Sequence, residues 1–137
     1  MKVKVTSTGT KDIARRLDAM SKALQRKTII PVLIKNTQPI ADDMRDKAPR
    51  RSGQLANSVT VSTRLSPHQA TVNEPIAQFE VYVGPGPLPQ AIQEEFGNDH
   101  QPAEPFIRPA YDAGVERALR GIAEDGIAAI LAAGKKG

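Results

Sequence analysis

The chain has 137 residues and a mass of 14.8 kDa, with 39% hydrophobic and 25% charged residues, a globular composition long enough to build its own core. It contains no cysteine, which excludes disulfides, thiolate metal sites and cysteine nucleophiles. The net charge of +4 is unevenly divided, with +9 on residues 1–64 and −5 on residues 65–137; head-to-tail contact between copies, nucleic acid against the basic half, or simply solvated faces would each suit this division.

The apolar runs Ile29–Ile34, interrupted by Pro31, and Ile127–Ala133 fall short of the ~18–20 residues needed to span a bilayer. The opening Met1-Lys2-Val3-Lys4-Val5-Thr6 alternates like a strand and has no signal-peptide apolar segment. A soluble chain made in the cytoplasm, with no membrane partner, is therefore expected. Its length predicts one domain over residues 1–137.

After a short strand at 3–7, Thr10 is placed to cap a helix with Asp12 in its first turn. Ile13, Leu17, Met20 and Leu24 recur at helical spacing, and Lys11, Arg15, Lys22 and Arg26 lie off that stripe, giving a basic outer face. A second helix is predicted over Ile30–Lys47, with Leu33, Ile40, Met44 and Ala48 on one side. Pro39 removes an interior hydrogen bond and should kink or split it, and Ala48-Pro49 should end it.

Leu55, Val59, Val61 and Leu65 alternate with polar residues and predict a strand. Pro67 and Asn73-Glu74-Pro75 mark turns around a weak further strand. Ala77, Phe79, Val81 and Val83 predict another strand, one face packed and one wet. Gly84-Pro85-Gly86-Pro87-Leu88-Pro89 is irregular, so residues 84–90 are expected to form a flexible loop. A helical turn is predicted at Gln90–Phe96, followed by a loop at 97–102.

Pro109 sits in the first turn of a last helix, with Tyr111, Val115, Ala118, Leu119 and Ile122 as its apolar face. Gly114, Gly121 and Gly126 each cost about 1 kcal/mol relative to alanine there. Either they admit another backbone or the helix is loose beyond Gly126. The tail at 134–137 should fray. The expected fold class is α+β: a small antiparallel sheet with an N-terminal helical pair and a C-terminal helix packed against it.

For catalysis the inventory is thin. His68 and His100 lie in polar or proline-flanked loop sequence without a second ligand at metal spacing. Glu94-Glu95 occupy adjacent helical positions that point apart. Ser52 lacks a nucleophile-elbow frame, and Gly84-x-Gly86 is too proline-rich for a dinucleotide loop. No catalytic residue, cofactor or metal site is predicted. Arg45, Lys47, Arg50 and Arg51 form a basic cluster that could neutralise phosphates, but no aromatic residue lies among them to stack bases. A small non-specific nucleic-acid-binding protein is the alternative this cluster keeps open.

Three stretches stand apart from generic fold requirements: Ala48-Pro49-Arg50-Arg51-Ser52-Gly53-Gln54-Leu55-Ala56-Asn57-Ser58, then Glu94-Glu95-Phe96-Gly97-Asn98, then Gln101-Pro102-Ala103-Glu104-Pro105-Phe106-Ile107-Arg108-Pro109-Ala110. With Val81-Tyr82-Val83-Gly84 between the first two, their order and spacing over about residues 10–125 resemble the tail-completion, or head–tail joining, family of long-tailed double-stranded DNA bacteriophages. Two departures fall in one loop region. Pro85–Pro89 and Gln90-Ala91-Ile92 replace an aromatic residue that members often carry before the Glu-Phe-Gly turn, and Asn98 stands where threonine is common.

The resemblance implies a structural virion protein of the neck or tail, assembled in the host cytoplasm. It implies a ring of copies, six in number, around the DNA channel between the head-side connector or stopper and the tail terminator. Genomic DNA would pass without sequence-specific contact. A tail terminator with a similar α+β fold is a further alternative. On this reading Glu95, Phe96, Phe106 and Arg108 belong to a subunit or partner interface, with the aromatics filling a neighbour's pocket and Arg108 pairing with a carboxylate. The same residues could instead serve their own subunit, the phenylalanines as core and Arg108 as a loop tie. Arg50, Arg51 and Gly53 form a loop facing a partner ring or DNA.

Overall fold

The structure is a computed structural model, and it describes residues 10–49, 53–64 and 78–134. The strand expected at 3–7, Leu65, the turns and weak strand at 66–76, Ala77, Arg50, Arg51, Ser52 and the last three residues lie outside the described residues.

Helix α1 spans Thr10–Asp18. Asp12 in its first turn accepts from Arg15 at 3.2 Å and Arg16 at 2.9 Å. The predicted stripe through Leu24 is broken after Asp18. Ser21 starts a new helix by accepting from the Leu24 N–H at 3.2 Å, an N-cap of the usual serine type. Buried Gln25 braces the break, donating to the carbonyls of Leu17 at 2.9 Å and Met20 at 3.2 Å.

Helix α2 runs without a break over Lys22–Lys47, about 39 Å at 1.5 Å per residue. The expected start at Ile30 and the expected split at Pro39 are both corrected. Pro31 and Pro39 lie inside the helix on its exposed side, where a carbonyl that loses its backbone donor turns to water, and packing holds the helix on the opposite side. That side presents Val32, Ile40, Ala41 and Met44 to the core, with Val32 buried where Leu33 was expected. The helix ends as predicted. Ala48, before Pro49, is extended at ψ 133° and closes the last turn through its N–H to the Met44 carbonyl.

The strand expected over Leu55–Leu65 is instead a short helix, α3 (Gln54–Ser58), followed by strand β1 (Thr60–Ser62). Leu55, Ala56 and Val59 are all buried, which is helical spacing that an every-other-residue reading obscures. Gly53 precedes α3 at φ +77°, a conformation glycine adopts without a Cβ clash. Strand β2 (Tyr82–Gly84) pairs antiparallel with β1, with Val61 opposite Val83. Of the longer strand predicted from Ala77, the described residues place Tyr82–Gly84 in a strand, each paired with a residue of β1. Helix α4 spans Pro89–Phe96 and α5 spans Ile107–Gly134.

Helices α2 and α5 lie antiparallel. Gly114 faces Ile40, Gly121 faces Asn36, and Asn36 donates to Asp125 at 3.1 Å. A Cβ on Gly121 would stand 2.0 Å from Asn36 Oδ1, and one on Gly114 would stand 2.8 Å from Ile40 Cγ1. The glycines therefore admit a neighbouring helix, and α5 continues past Gly126 with Ile130 buried. At the far end of this pair, Ala48, Leu55, Ala56, Val59, Ala91, Phe106 and Ala110 form one core cluster, against which Val61 and Val83 of the sheet pack. The architecture is α+β, a two-stranded antiparallel sheet set at one end of a long helical pair.

Candidate interaction surface

The segment from Glu94 to Arg108 turns the chain from α4 into α5. Gly97 at φ +74° caps α4 through its N–H to the Gln93 carbonyl at 2.8 Å. A Cβ there would meet Ala103 N at 2.7 Å, so only glycine fits. Asn98 Oδ1 then accepts from the N–H groups of His100 and Gln101 at 2.8 and 3.0 Å, and the Glu104 N–H returns to the Glu94 carbonyl at 2.7 Å.

Glu95 reaches across this turn. Its carboxylate accepts from the backbone N–H groups of Phe106, Ile107 and Arg108 at 2.8, 2.9 and 3.1 Å, three donors that the first turn of α5 cannot satisfy internally. The positive end of the helix dipole lies at the same place. Burial alone would raise the pKa of Glu95, but the hydrogen bonds from Ile107, Phe106 and Arg108 outweigh it and hold the carboxyl below the ordinary glutamate range. Glu95 is 9% exposed and Phe106 0%. Phe106 thus fills a pocket of its own chain, the second of the two roles the sequence left open for it. Arg108 is exposed, its side chain 85% accessible, with Asp112 one turn on at 3.8 Å.

Phe96 differs from its neighbours in the motif. It is 77% exposed, and Ile92, four residues earlier on the same face of α4, is 67% exposed. Beside them the proline-rich loop is pinned by Ser58, whose Oγ accepts from Gly86 N–H at 3.1 Å while donating to the Leu55 carbonyl at 2.7 Å. Loop and helix enclose an apolar groove of about 640 Å³ bordered by Pro87, Leu88, Ile92, Phe96 and Ile107. Covering Ile92 and Phe96 fully would stabilise a contact by roughly 3–6 kcal/mol. The Leu88 and Ile92 contribution to this groove was missed in the sequence, where the loop reads only as irregular. The i, i+4 spacing of Ile92 and Phe96 was the available signal.

The expected basic cluster is partly absorbed by the fold. Arg45 donates to the Val59 carbonyl at 2.8 Å and pairs with Asp42 at 3.3 Å, and Lys47 pairs with Asp43. Gly53 lies at the turn before α3, while Arg50 and Arg51 are outside the described residues. His100 is exposed, and the described residues contain no group of three or more His, Asp or Glu side chains placed to hold a metal. No helix among the described residues is long and apolar enough to cross a membrane.

The Ile92–Phe96 ridge and its groove are thus an exposed apolar surface on a segment whose backbone is fixed by capping hydrogen bonds. The chain belongs to the HK97-gp10-like family, described as "Bacteriophage HK97-gp10, putative tail-component", whose family model matches residues 11–86. The match covers α1 through β2 and ends as the proline-rich loop begins. No curated protein and no solved structure matches the chain. Membership makes this a bacteriophage tail component, a structural part of the virion.

Proposed function

We propose that this tail component completes the tail at the neck, as a ring of six copies between the head-side connector and the tail terminator, around the channel through which DNA passes. The observation that carries this reading is the exposed Ile92–Phe96 ridge on a chain of a phage tail family. A rigid apolar surface of this kind suits assembly with other proteins rather than turnover of a small substrate. A ring is built from heterologous contacts, one patch meeting a different patch of the next copy, and the uneven division of charge along the chain suits that arrangement. Phe96 and Arg108 supply the accessible side chains, and Glu95 and Phe106 fix the segment that presents them. The protein works by binding, as one domain.

The turn at Arg50, Arg51 and Gly53 meets an acidic neighbouring ring rather than DNA, since phosphate contacts would retard a sliding genome. Internal pairing of Arg45 and Lys47 also weakens the nucleic-acid alternative. Electron microscopy of phage particles made without this protein tests the reading. Filled heads and finished tails that fail to join are expected; normally joined particles would remove the neck role.

A further inference from the structure

The two ends of the described molecule differ in shape and in charge. Residues 78–107, which include α4 and both walls of its groove, contain five carboxylates and no lysine or arginine, with exposed Arg108 following directly. Residues 19–34, toward the other end of the helical pair, contain three lysines or arginines and no carboxylate, and Lys35 beyond them pairs with Asp125 of α5. Lys22, Arg26 and Lys27 are all exposed there. A second apolar groove, of about 510 Å³, opens at this basic end between the start of α2 and the end of α5, bordered by Leu24, Lys27, Pro31, Val32, Ala129 and Ala133. Small alanines on α5 leave room against α2, so the groove can receive a bulky side chain. At the acidic end the converse holds, because Ile92 and Phe96 project from α4 and are 67% and 77% exposed.

We infer that the Ile92–Phe96 ridge of one copy seats in the Leu24–Pro31–Ala129–Ala133 groove of the next, with Asp99 and Glu104 beside the ridge facing Lys27 and its exposed neighbours. A ridge and a groove on different ends make a heterologous contact, so each copy that donates a ridge still offers a groove. This deepens the ring reading and rests on it for the closed outcome, but the contact itself requires only two copies. Opposite charges favour this polarity, since ridge against ridge would bring Asp99 and Glu104 of two copies together, with Arg108 offsetting part of the repulsion.

The test replaces Phe96 with a benzophenone amino acid in the full-length protein and irradiates it both in concentrated solution and in assembled particles. Pro31 and Ala48 are about 25 Å apart along α2, and α4 packs at the Ala48 end, so the probe cannot reach the groove of its own chain. Cross-links to peptides 24–32 or 129–133 are expected. Their yield should fall at least tenfold when Ala132, an exposed position at the groove, is changed Ala132→Trp, and severalfold in 1 M salt, where screening is nearly complete beyond ~3 Å. Cross-links only to residues 1–9, to other surfaces of a copy, or to a different virion protein would overturn the inference, as would their absence in both samples. Those results leave the tail role standing; it fails separately if the protein is missing from particles that join normally.

Discussion

The long helical pair and the sheet-bearing end are held together by different means. Along α2 and α5 the fit is between side chains and bare backbone: Gly121 against Asn36, Gly114 against Ile40, with Lys35 and Asn36 both on Asp125. Asn36 first, then Lys35, draws the Asp125 carboxyl below its usual range. At the other end much of the work is done by polar side chains bonding backbone, as Glu95 does for α5, Ser58 for Gly86 and Arg45 for Val59. Backbone capping fixes a loop without consuming its apolar side chains. That leaves Ile92 and Phe96 exposed on a segment whose backbone is hydrogen-bonded in place.

This contrast makes Phe106 and Phe96, ten residues apart, behave oppositely. Phe106→Ala should cost about 4 kcal/mol, as expected for emptying a fully buried aromatic site, measured by urea denaturation. A loss under 1 kcal/mol would mean that Phe106 is not core. Glu95→Ala should cost about 3 kcal/mol by stranding three backbone donors. Because the folded pKa of Glu95 is lowered, its contribution is fully present above the ordinary glutamate value and is lost as pH falls through the lower folded value. Wild-type stability should therefore drop across that acid window while Glu95→Gln shows a shallower decline, read from denaturation midpoints at successive pH values. Parallel curves would assign the acid loss to other groups.

In the helical pair, Gly121→Ala should cost about 2 kcal/mol by overpacking against Asn36, and the double variant Gly121→Ala/Asn36→Ala should recover most of it. No recovery would mean that α2 and α5 separate rather than clash. The smallest effect on folding is expected for Phe96→Ser, within about 0.5 kcal/mol of wild type, while joined-particle yield falls. A large loss of thermal stability in this variant would place Phe96 in the core and abolish the contrast between the two phenylalanines.

The sequence by itself determined the α+β class, the helical segments at both ends, the stop at Ala48-Pro49 and the three stretches that pointed to a phage tail family. These depend on local chemistry: spacing of apolar residues, the missing proline N–H, and a motif readable in order. It also kept open both roles for Phe106, and it could not say which phenylalanine was inside. Tertiary structure decided that Glu95 reaches 11–13 residues onward to cap α5, a contact with no local spacing signal. It decided that α2 continues through Pro31 and Pro39, because packing against α5 offsets what two missing donors lose. It also converted the expected strand at Leu55 into a helical turn, since burial of Leu55, Ala56 and Val59 together against Met44 and Phe106 rewards one face of a helix more than alternate faces of a strand. Local pattern specifies which conformations are cheap, and long-range packing selects among them.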